Sequence, residues 1–82
     1  MKVILVENIL SGGIVGIYST LEKAKIATIK GEQELLKDDT LPKELADEIR
    51  QEIENAKKVN EIEKLNDIFM DEFYIREIEV DK

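Results

Sequence analysis

The stretch Phe73-Tyr74-Ile75-Arg76-Glu77-Ile78-Glu79-Val80 decides the fold. It reads as a strand: Tyr74, Ile78 and Val80 fall on one side, Phe73 and Ile75 on the other. Its natural partner lies at the opposite end of the chain, in Lys2 to Asn8. There Val3-Ile4-Leu5-Val6 is apolar throughout, so both faces of that strand should be covered or paired. Everything between must fold back so that the two ends share one sheet. The expectation is a single complete domain spanning residues 1–82.

Working inward, Ile9-Leu10-Ser11-Gly12-Gly13 is a turn, because adjacent glycines reach positive φ at little cost. Ile14 to Tyr18 follows as a second strand. Gly16 inside it marks a bulge or a close backbone approach. Ser19-Thr20-Leu21-Glu22 has the form of a capping box with Ser19 as the cap. The helix it opens runs to about Lys37 and carries two apolar faces. Leu21, Ala24, Ala27, Thr28, Gly31 and Leu35 form one; Ile26, Ile29 and Leu36 form the other, with a Lys23/Lys30/Lys37 stripe between them.

Asp38-Asp39-Thr40 resembles an amino-terminal cap for the next helix, and Pro42 fits its first turn. Leu45, Ile49 and Ile53 then step by four, whereas Ala56, Val59, Ile62, Leu65 and Ile68 step by three. The stripe drifts one way and then back. Either one long helix wraps its neighbour, or it bends near Val59-Asn60. The predicted class is therefore α+β, order β-β-α-α-β: a three-stranded, mainly antiparallel sheet with a helical hairpin packed on one face. Apolar residues on both sides of the last strand imply that the second sheet face is at least partly covered as well. A homodimer or a target protein would supply that cover.

The chain has 82 residues, 19 acids against 12 bases, and a net charge of −7. It holds no cysteine and no histidine. The usual thiolate nucleophile and the usual general base near neutral pH are thus missing, and no disulfide is possible. Residues 1–30 are net positive and the acids gather in the remainder, so direct nucleic-acid binding is not expected, while a basic protein surface would be attracted. No apolar run approaches the roughly 18 residues of a membrane span, and the start does not read as a secretory signal. A cytoplasmic location is expected.

Paired carboxylates occur at Asp38-Asp39, Glu61/Glu63 and Asp71-Glu72. None has the spacing of a calcium loop, and Gly12-Gly13 is not a phosphate loop. No catalytic residue, metal or cofactor is expected. Tyr18 and Tyr74 could meet across neighbouring strands with their rings in the core. Arg76 interrupts an apolar strand. It reads as half of a cross-strand ion pair with Glu7, or as a guanidinium offered to a ligand. Ile9 and Leu10 are more apolar than a turn requires, and either cap the core or form a sticky tip. Glu44, Glu48 and Glu52, with Glu54 and Glu61 further round, could begin an acidic row that mimics duplex phosphates; a solvated helix face explains them equally.

Three segments together resemble small uncharacterised proteins of bacteriophages and prophages: Met1-Lys2-Val3-Ile4-Leu5-Val6, Gly16-Ile17-Tyr18-Ser19-Thr20-Leu21-Glu22-Lys23-Ala24 and the closing Phe73 to Asp81. The resemblance touches both ends and leaves the 38–70 part unmatched. It implies a setting in a host cell and no catalytic residues. It implies a non-enzymatic inhibitor that binds a host protein, of an anti-defence, anti-CRISPR-like kind. The candidate partner-binding residues are Ile9, Leu10, Glu44, Glu48, Glu52 and Arg76. Two other readings stay open. One is an oligomer that sequesters a small nucleotide signal through Arg76 and the lysine stripe; the other is a purely structural homo-oligomer.

Overall fold

A computed structural model describes residues 1–70 and 72–80. The strands are β1 (Lys2–Asn8), β2 (Gly13–Tyr18) and β3 (Phe73–Glu79), and the helices are α1 (Leu21–Leu35), α2 (Lys43–Lys57) and α3 (Ile62–Ile68). They form the expected α+β fold, with the sheet order β2-β1-β3 and both pairings antiparallel. The apolar run of β1 marks it as the central strand: Ile4, Leu5 and Val6 are all buried.

The register assigns the two faces. Ile4 lies opposite Tyr18 and Glu77, and Val6 opposite Gly16 and Ile75. These positions face the helices. Ile4, Val6 and Ile75 there join Ala24, Ala56, Leu65, Phe69 and Phe73 in the main core. Leu5 lies opposite Ile17 and Arg76 on the other side. The register slips between Val6 and Glu7, leaving Val15 as the extra residue of a bulge. Gly16 permits the close approach expected of it: a Cβ there would stand 2.5 Å from the Tyr18 hydroxyl. Tyr18 and Tyr74 do not meet, because β1 separates their strands and their side chains point to opposite faces.

The helix ends depart from the sequence expectations. Thr20 caps α1, its hydroxyl accepting from the Lys23 amide at 3.2 Å, while Ser19 instead accepts from Lys23 Nζ. The helix stops at Leu35, short of Lys37. Asp38 does not cap α2. Its carboxylate accepts from the amide and hydroxyl of Thr40, which holds it below the usual carboxylate range. Pro42 stands at the cap position with no side-chain bond. Of the two alternatives, one long wrapping helix or a bend near Val59-Asn60, the structure has neither a continuous helix nor a mere bend but a full break between α2 and α3, so three helices replace the expected pair.

The break has a physical cause. Lys25 on α1 is 6 % exposed, and its ammonium donates to Lys57 O (3.4 Å), Val59 O (3.1 Å) and Asn60 Oδ1 (2.8 Å). A cation at a helix carboxyl terminus meets the negative end of the dipole and fills orphaned carbonyls. It fastens α1 to the end of α2 and turns the chain into α3.

α3 in turn closes one side of the sheet. Asn66 donates to Ile75 O at 2.8 Å and accepts from Ile75 N at 2.7 Å, taking the place of a neighbouring strand on the outer edge of β3. Asn66→Ala leaves both backbone groups without this partner. We expect a loss of about 2 kcal/mol, the sum of two net hydrogen bonds, measured by urea unfolding. Faster aggregation should accompany it, since an open edge pairs with other chains.

Candidate interaction surface

β2 is the opposite edge of the sheet, and its sequence Gly-Ile-Val-Gly-Ile-Tyr carries no charge. Half of its backbone donors and acceptors point outward, as on any edge strand. No described hydrogen bond clasps this edge as Asn66 clasps β3. Ile14 and Ile17 lie on the sheet face opposite the helices and are 66 % and 62 % exposed. Tyr74, on the same face, is 47 % exposed, while Val3 and Ile78 are half-buried. The cover expected over this second face is therefore not supplied by the described chain. Leu5, at its centre, is buried between its strand neighbours Ile17 and Arg76.

Arg76 forms the cross-strand pair read from the sequence: its Nε stands 3.0 Å from Glu7 Oε1. The pair crosses the apolar face and both side chains keep contact with solvent. An exposed pair of this kind adds little stability. It does place one charge of each sign in the middle of an apolar surface.

Ile9 and Leu10 extend this surface at the hairpin tip. Asn8 Oδ1 accepts from the Leu10 and Ser11 amides, and Asn8 O from Gly12 N. Ile9 N donates to Glu72 O. With the backbone fixed this way, Ile9 and Leu10 are exposed and do not cap the core.

The α2 acids do not form one exposed row. Glu44 and Glu48 are exposed, but Glu52 turns half inward. It faces Glu32 of α1, which has no exposed surface, and so does Glu72 from the turn before β3. Burial first, then a hydrogen bond from Glu72 and the charges of Glu72 and Glu52, push the Glu32 carboxyl up to about 9. Among the described residues, no group of three or more acids is arranged to hold a metal ion.

The residues suggested for an anion site are also separated. Arg76 lies on the helix-free face, whereas Lys23 and Lys30 are on the exposed side of α1 and Lys37 is exposed in the turn beyond its end. A groove of about 490 Å³ runs beside α1, with Ile26 and Ile29 in its wall and Lys30, Gln33 and Lys57 around it. Lys25 also borders it, but its ammonium is already bonded to the end of α2.

Of the residues singled out in the sequence, Ile9 and Leu10 adjoin this apolar face and Arg76 lies on it; Ile14 and Ile17 were not among them. Three strands under one helical layer already leave one sheet face open; the further signal that points to Ile14 and Ile17 is the absence of charge in β2. Comparison with known proteins returns no matching family model, curated protein or solved structure.

Proposed function

We propose that this protein is a non-enzymatic binding module that docks a partner protein on its helix-free sheet face and the adjoining edge of β2. The observation that carries this reading is the uncharged strand Gly13–Tyr18, exposed at Ile14, Val15 and Ile17 in a chain of net charge −7. Large exposed apolar patches rimmed by charge are typical of interaction surfaces. The chain that carries this one is acidic, with a net charge of −7, and Glu7 stands on the face itself beside Arg76. The occupant is accordingly a basic protein surface with an apolar centre, offering an extended segment to β2. In the phage setting implied by the resemblance, docking inhibits a host protein, and an anti-defence role follows.

Ile14→Lys and Ile17→Lys test the site. Both side chains are exposed, so the fold should survive. Immobilised wild-type protein should retain one stoichiometric host partner whose crosslinks map to β2, and weakening salt should tighten the complex. A desolvated lysine at the centre costs about 1.4 kcal/mol or more, hence tenfold or more in affinity. Glu54→Gln should change little. Equal binding by the lysine variants sinks the proposed site. Concentration-dependent dimerisation of the wild type, lost in both variants, would instead favour a second copy as the occupant.

A further inference from the structure

Glu32 has no role in that surface, and its position is costly. Both carboxylate oxygens are buried, and apart from the carboxyl–carboxyl contact with Glu72 no donor meets them among the described residues. A buried acid without a donor is expensive as an anion. Its surroundings form a tight seam. Gly31, the preceding residue, lies against Phe73: a Cβ there would be 3.0 Å from Phe73 Cζ. Glu32 faces Glu72, which immediately precedes Phe73. Two consecutive residues of α1 thus meet two consecutive residues at the entrance to β3. Among the described residues, the charged groups facing Glu32 are Glu72 from this turn and Glu52 from α2.

The Glu72 backbone is held at both of its polar groups. Its amide donates to Phe69 O at 3.0 Å, and its carbonyl accepts from Ile9 N at 2.8 Å. Moving it disturbs the end of α3 and the β1–β2 hairpin together.

We propose that Glu32 and Glu72 share one proton, which acts as a latch holding α1 to the α3–β3 turn, and that loss of this proton opens the seam. The shared proton supplies the missing donor between two acceptors that would otherwise repel. The raised titration of Glu32 agrees with this geometry. The folded protein keeps the proton up to about pH 9, whereas the unfolded chain releases it near the ordinary value of 4.5. Stability from the latch is therefore complete below about pH 4.5 and declines as pH rises, until the folded carboxyl also titrates near 9. Between these limits one proton is lost on unfolding, so the latch raises the unfolding constant by about tenfold per pH unit.

The experiment compares wild type, Glu32→Gln and the exposed control Glu63→Gln in urea from pH 5 to 9. Glutamine keeps the shape and supplies the donor without a proton to lose. Glu32→Gln should remove about one factor of ten per pH unit from the wild-type dependence; Glu63→Gln should not. Two measurements on the wild type keep the test independent of how well the variant folds. The Glu32 side-chain ¹³C resonance should titrate well above pH 7. The protection factor of the Ile9 amide, corrected for intrinsic exchange, should fall tenfold or more between pH 6 and 9. A Glu32 midpoint between 4 and 5 overturns the shared proton. Constant Ile9 protection overturns the latch, and so does a pH dependence in Glu32→Gln equal to that of wild type.

Discussion

Phe69→Ala is expected to lower the unfolding free energy by about 3–5 kcal/mol, the range for truncating a buried phenylalanine. The ring is 1 % exposed and sits in the main core with Leu65, Phe73 and Ile75. It meets Phe73 edge-on, with centroids 6.2 Å apart and planes at 87°. This geometry adds attraction beyond area burial. The site cannot collapse easily, because the Phe69 carbonyl accepts from both Glu72 N and Phe73 N and so fixes the turn into β3. A domain of this length has roughly 4–12 kcal/mol to lose. The variant should therefore be largely unfolded under mild denaturant. Phe69→Leu, which refills much of the volume, should cost well under half as much. Urea titration with an unchanged slope distinguishes lost stability from a changed unfolded state. A cost below 1 kcal/mol for Phe69→Ala would show that the core is not centred there.

The distribution of charge explains which parts of this fold were legible in the sequence. Strand placement rested on features that declare themselves locally. The apolar run Val3 to Val6 needs cover on both faces, which only a central strand provides, and Phe73 and Ile75 alternate with polar or exposed neighbours. The Glu7–Arg76 pair followed from pairing the two ends. The drift between steps of four and three showed that the apolar stripe is not straight and left a wrapping helix and a bend as alternatives, of which the structure has the interruption. Side-chain periodicity could not reveal the groups that reverse the usual rule. Lys25 and Glu32 are charged residues that a helical wheel assigns to solvent, yet both are buried. Each is explained only by a partner distant in sequence: the end of α2 for Lys25, and Glu72 for Glu32. Asn66 is similar, since its clasp on Ile75 requires α3 to lie along β3. The open face followed from counting layers, but the residues that line it did not declare themselves. Ile14 and Ile17 look like core residues by hydropathy, and their exposure follows only from the number of layers above the sheet.

Lys25→Met is the second change with a large expected effect, about 3 kcal/mol. Methionine retains most of the apolar stem, which separates packing from charge. What disappears is the ammonium and its bonds to Lys57 O, Val59 O and Asn60 Oδ1. Glu22, 3.7 Å away and largely exposed, turns to water at little cost. The two carbonyls do not have that freedom while α1 covers them, so they keep their desolvation without a donor. The loss should be local before it is global. Amides from Lys58 to Ile62 should exchange faster by a larger factor than those of the sheet, because the bridge between α1 and the end of α2 opens first. Lys58→Met, which removes an exposed cation one residue away, is the control and should be near neutral. If Lys25→Met costs no more than that control, water caps α2 as well as the ammonium does. The break between α2 and α3 would then need a cause other than Lys25.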